Sequence, residues 1–173
     1  MMRKGVALVL AVTVVGLLGG QVVWAQRYDD KEHAELAKAL KGVKVSLEEG
    51  LRASEREGTP ISGKFEIEDG KLQLSVYTMK ADKFSEVIVD YKTTKVVKVE
   101  AITGGEDLTA AKAQSTAMAK AKKSLHAVVA QAAKANKGYR PVSIVPVIRD
   151  GRPVAEVTLA KDGEFKKVSE KLD

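Results

Sequence analysis

Apolar and polar residues alternate with a period of two from Ile61 onward, Phe65 and Ile67 standing between Lys64, Glu66 and Glu68. Asp69-Gly70 then supplies a hairpin turn before Leu72, Leu74 and Val76, so this stretch predicts an antiparallel strand pair. Phe84 to Tyr91 and Lys95 to Ile102 predict two further strands, with "DYKTTK" as the turn between them and Val97, Val99 and Ala101 on one face. One face of such a sheet is apolar and the other wet, as expected where helices cover a single side.

Helical spacing precedes the strands. "DDKEHAELAKALK" (residues 29–41) opens with acids, ends in lysine before Gly42, and puts Leu36 and Leu40 on one side. At "KVSLEEGLRASEREGTP", Ser46 and Glu49 have the spacing of a capping box, Leu47 and Leu51 share a face, and Gly58 with Pro60 ends the helix. After "TGGEDL", Thr109 to Lys137 is rich in Ala and Lys, with Gly138 placed as a stop; a continuous helix there would run about 40 Å. "KKSLHAVV" within it resembles "KVSLEEGL", which sets Ser124 in the role of Ser46 and offers a break.

That echo belongs to a larger one. "PISGKFEIEDGKLQLSVYTMKADKFSEV" from Pro60 to Val87 aligns without a gap on "PVSIVPVIRDGRPVAEVTLAKDGEFKKV" from Pro141 to Val168, with nine identical positions. Strands are therefore expected around Val142–Ile148, Pro153–Ala160 and Glu164–Ser169, with Asp150-Gly151 repeating the turn. Pro146 and Pro153 cannot donate a ladder hydrogen bond, which predicts edge strands or a bulge. The second copy has no counterpart of Lys95–Ile102, and a missing strand leaves an edge to be covered, paired or bound. The expected fold is α+β: two tandem units, each a helix packed on an antiparallel three- to four-stranded sheet. Their bounds are 43–102 and 124–173, the second truncated, with an N-terminal helix in 26–42 and a helical connector in 103–123.

Residues 1–25 differ from all that follows. Arg3 and Lys4 precede an apolar run from Gly5 to Leu18, and Val23 and Ala25 suit a signal-peptidase pocket, so cleavage after Ala25 is expected. An uncleaved anchor is the competing reading, since Gly5 to Val23 is at the short end of a bilayer-spanning length. Cleavage removes two basic side chains and takes the formal charge from +6 to +4. Acids are mixed among the lysines and arginines and aromatics are few, which argues against a nucleic-acid partner. The chain has no cysteine, hence no disulfide and no thiolate site. About 150 remaining residues can bury roughly two thirds of their unfolded surface, enough for an unstapled core.

Catalytic chemistry finds little footing. His33 and His126 are the only histidines, each on an expected helix without a second ligand at four-residue spacing, so both read as solvated helical histidines and not as zinc ligands. Glu66, Glu68 and Asp69 form an acidic knot able to hold a hard cation, but Val147 and Arg149 replace the two glutamates in the second copy, and a solvated strand face is the better reading. No nucleophile elbow or paired carboxylate cleft is legible. The Ala-rich stretch carries lysines opposite mostly alanine, with Met118, Leu125, Val128 and Val129 as its bulky members, which favours packing on a sheet over lying on lipid.

"SLEEGLRASE", "EIEDGKLQLSVY" and "VIVDYKTTKVVKV", echoed by "SLHAVVAQAAKAN" and "VIRDGRPVAEVTL", resemble the PepSY domain. The resemblance implies an inhibitory or binding module of the bacterial envelope with no active site of its own, and it carries over no functional residues, metal or cofactor. The expectation is a periplasmic or secreted, non-enzymatic protein with no stable membrane span after cleavage. Its partner would be an envelope or secreted protein such as a peptidase, held by β-addition at an open sheet edge, with a peptidase-inhibitory or chaperone-like role. The alternative is a periplasmic carrier of a small ligand or metal ion bound between the two units.

Overall fold

The computed structural model describes residues 30–173; the expected signal peptide, residues 1–25, lies outside the described residues. Two helices come first, α1 (Asp30–Leu40) and α2 (Leu47–Ser54), followed by strands β1 (Thr59–Glu68), β2 (Lys71–Lys80), β3 (Lys83–Val89) and β4 (Val96–Ile102). Helices α3 (Gly105–Met118) and α4 (Leu125–Ala135) precede β5 (Arg140–Arg149), β6 (Arg152–Lys161) and β7 (Glu164–Lys171).

The expectation of two tandem helix-on-sheet units is corrected by the topology. All seven strands join one antiparallel sheet in the order β4-β3-β2-β1-β5-β6-β7. The two copies meet where β1 pairs with β5, Gly63 opposite Ile144 and Lys64 opposite Ser143. The shift that carries Pro60 onto Pro141 carries Gly63 onto Ile144, so the halves are related by an approximate two-fold axis at this pair. Merging has a physical cause: as separate sheets, β1 and β5 would each present an unpaired ladder edge. Side by side, they also bring α2 and α4 together over one face, and a single apolar cluster unites Leu47, Leu51, Phe65 and Val76 with Leu125, Val129, Ile144 and Val157.

The sheet is covered on both faces, not one. Gly63 faces Leu47 and Leu51 of α2, so Tyr77 and Met79, at the opposite parity of the β2 pleat from Leu74 and Val76, face the back. There they meet α3: Ile61, Phe84 and Ala111 form a second buried cluster with Tyr77, Met79, Ile102 and Leu108 packed on it. The Ala-rich stretch is thus two helices on opposite faces, broken before Ser124. Small side chains let α3 lie close, and Ser62 donates to Gln114 Oε1 at 2.7 Å.

The prolines do not mark edge strands. β5 and β6 are internal. β5 instead carries a bulge between Pro141 and Ser143, matched by one between Pro60 and Ser62 in β1, and Pro146 lies beyond the short β1–β5 ladder. The duplication also reaches the turns. Asp69-Gly70 and Asp150-Gly151 all have positive φ, as the twist-matched two-residue hairpin turn requires, and so do Ala81-Asp82 and Asp162-Gly163. The Tyr91 carbonyl accepts from the amides of Lys44 and Val45, and the Leu172 carbonyl from those of Lys122 and Lys123, so in each half the entry to the helix is tied to the end of the third strand.

Candidate functional site

Three regions concentrate groups that could act on something else: the outer strand β4, a carboxylate cluster on the back face, and a cavity between α2 and α4.

β4 ends the sheet on one side and β7 on the other. Val99 pairs with the fully buried Val87, so Val97, Val99 and Ala101 continue the helix-side apolar surface past the last covered strand. Val97 is 62% and Val99 45% exposed, which is unusual for valines on a strand. β7 presents the reverse surface, "EFKKVSEK", with lysines at 166, 167 and 171 that discourage edge pairing. The sequence placed the open edge in the second copy; the structure gives both halves an edge and makes that of the first copy the apolar one.

The acidic cluster gathers Glu66 and Glu68 of β1 and Glu86 of β3, with carboxylate oxygens within 4.8 Å of one another. Asp69, in the turn, is outside it, and Glu86 enters from a strand that one-dimensional spacing could not link to β1. Lys64 meets Glu66 at 2.6 Å, and Gln73 donates to Glu68 and Glu86 at 3.1 and 3.4 Å. Glu66 Oε1 is buried with no hydrogen-bond partner. Burial raises the Glu86 carboxyl above its ordinary range, with Glu66 and Glu68 adding to the shift and a hydrogen bond from Ser75 and the Lys64 charge opposing it. Burial likewise pushes the nearby Tyr77 phenol up. Glu100 on β4 stands directly opposite Glu86 and is held by Lys98 at 2.8 Å, so the acidic patch reaches the open edge.

The histidines are not the solvated side chains expected. His33 is half-buried and stacked on Phe165, ring centroids 4.4 Å apart. His126 lies in the first turn of α4, its Nδ1 3.0 Å from Glu55 Oε1 at the end of α2 and its Nε2 3.0 Å from Ser124 Oγ. These three residues line a cavity of about 300 Å³ together with Gly58, Pro60, Met118 and Leu125. Sequence reasoning missed this chain of contacts because Glu55 belongs to the other repeat; the Ser-x-His spacing was the visible half of it. Neither histidine joins the carboxylate cluster.

Among the described residues no helix is long and apolar enough to cross a membrane. Comparison with known proteins finds no matching family model, no matching curated protein and no matching solved structure.

Proposed function

We propose that this chain is an exported binding module that takes an extended segment of another envelope or secreted protein onto β4, in keeping with its PepSY resemblance. The observation that supports this reading is the pair Val97 and Val99, exposed on the helix side of a strand whose outer ladder has no partner within the described residues. Main-chain hydrogen bonds to β4 would supply affinity, and alternate side chains selectivity.

The two faces of β4 define the partner. On the helix side, apolar residues in the incoming strand cover Val97, Val99 and Ala101. On the back, a lysine or arginine opposite Glu100 relieves the Glu86–Glu100 juxtaposition, since like charges opposed across a ladder are unfavourable. The preferred segment therefore alternates apolar and basic residues.

Synthetic peptides alternating valine with lysine, and valine with aspartate, test this by fluorescence anisotropy with amide hydrogen exchange across β4. The basic series should bind and protect amides between Val97 and Ala101. Equal binding of the acidic series, or protection confined to β7, would refute the reading. A secreted peptidase whose propeptide-like segment fits this pattern would then be tested for slowed turnover.

A further inference from the structure

Ser46 and Ser124 occupy the same place in the two repeats, as N-caps of α2 and α4, but their hydroxyls are used differently. Ser46 Oγ lies 2.8 Å from Glu49 Oε2, and a complete capping box closes that helix. In α4 the glutamate is replaced by Ala127, so no carboxylate takes the Ser124 proton. His126 Nε2 stands in its place, 3.0 Å from Ser124 Oγ, while Glu55 Oε1 sits 3.0 Å from Nδ1. A carboxylate at Nδ1 holds the proton there and leaves the Nε2 lone pair facing the hydroxyl. A cap needs only an accepting oxygen, which Ser124 already offers to the Ala127 amide at 3.4 Å. The imidazole and a carboxylate drawn from the other repeat add nothing to that role.

We propose that Ser124 is a nucleophile toward small apolar acyl esters, with His126 as its base and Glu55 as a positioning residue. The order carboxylate, imidazole, hydroxyl is the one nucleophilic catalysis by serine requires. The adjoining cavity offers the acyl group the apolar surfaces of Pro60, Met118 and Leu125. The amides of Leu125 and His126 open α4 and have no helical acceptor, so they are donors beside the hydroxyl at the positive end of the helix, suited to a developing oxyanion. Ser124 Oγ bonds to the ester carbonyl carbon as its proton passes to Nε2. The bond to the alcohol oxygen then breaks, and the alcohol leaves with that proton. Water, giving a proton to the same nitrogen, attacks the acyl-serine, releases the carboxylic acid and restores the hydroxyl.

The inference does not depend on β4. Its test is covalent labelling of the full chain with an alkyl fluorophosphonate, mapped by mass spectrometry, alongside turnover of p-nitrophenyl acetate and butyrate. Labelling should fall on Ser124. Ser124→Asn keeps a competent N-cap and should abolish labelling and turnover, whereas Ser46→Asn should leave both unchanged. His126→Gln should slow labelling by about 100-fold or more. Glu55→Gln should lower kcat with KM unchanged and Glu55→Asp should restore part of it, because the carboxylate orients the imidazole without touching the ester; a merely structural Glu55 would lower the melting temperature of both variants without that split. An unlabelled native chain, a label on another residue, or labelling that survives in Ser124→Asn would overturn the assignment.

Discussion

Gly63 and Ile144 face each other across the centre of the sheet, and each is the other's counterpart in the repeat. The pair explains how one duplicated unit fits against its own copy. A Cβ on Gly63 would stand 3.1 Å from Leu51 Cδ2 and 3.4 Å from Leu47 Cδ1, so in the first half the helix supplies the volume that the strand gives up. In the second half the positions of Leu47 and Leu51 are taken by Leu125 and Val129, and the strand contributes Ile144, also fully buried.

This division of volume is measurable as coupling. Leu51→Ala alone should cost about 2–5 kcal/mol, as a cavity in a core does. Gly63→Val alone should cost about 1–3 kcal/mol through overpacking. Together they should cost less than the sum by at least about 1 kcal/mol, since one fills what the other empties. Additive losses in urea unfolding would show that the two sites do not share a space.

The second hairpin of each half offers a transplant. Ala81 and Asp82 turn with φ of 47° and 62°, where Asp162 and Gly163 turn with 50° and 91°. Left-handed backbone costs an alanine about 1 kcal/mol, while aspartate and glycine adopt it more readily. Ala81→Asp with Asp82→Gly should therefore raise the melting temperature by roughly 2–4 °C. An unchanged or lower melting temperature would mean that this turn is not strained.

Most of the secondary structure was legible because the pleat and the turns are local: Asp69-Gly70, Asp150-Gly151 and the Ser46–Glu49 capping box each declare themselves within a few residues. The single sheet was not legible. It depends on β1 recognising β5 through the Gly63–Ile144 and Lys64–Ser143 pairs, and nothing in either strand's own alternation specifies the other as its neighbour. The same limit hid the sites: Glu86 reaches Glu66 across β2, and Glu55 reaches His126 between helices of different repeats. Alternation did place Val97, Val99 and Ala101 on one face, but it could not show that Val97 and Val99 stand exposed, with no helix among the described residues over them.

Two glutamates should respond to pH in opposite senses. Glu49 is held below its ordinary value by the Ser46 amide and then the Ser46 hydroxyl, so its stabilisation is present above about pH 4.5 and is lost as pH falls through its folded value. Glu86 is raised, chiefly by burial, so its folded form favours the proton, and stability is lost as pH climbs from about 4.5 through its folded value. At pH 7, Glu49→Gln should lower the melting temperature and Glu86→Gln should raise it. Each shift should be about 1–3 °C, because both groups are in part exposed to screening water. Below pH 4 both differences should shrink. A Glu86→Gln chain that melts earlier at pH 7 would mean that its charge is favourably engaged.

The two outer strands make the sharpest comparison, because they end the same sheet with opposite chemistry. Lysine at an edge keeps other strands away by demanding solvation as a new ladder closes. On β4 that protection is missing on the helix side, where Val97 and Val99 stand exposed; on β7 it is supplied by Lys166, Lys167 and Lys171. Val97→Lys with Val99→Lys adds charge where there is already water, so stability should change by no more than about 0.5 kcal/mol per site. The same double substitution should abolish binding of valine–lysine peptides and the amide protection that accompanies it. Replacing Lys167 with valine should do the reverse at the far edge, opening β7 to peptide or to a second copy, seen as concentration-dependent mass in sedimentation. If the β4 lysines leave peptide binding intact while the chain stays folded, the apolar stripe is not what holds the partner.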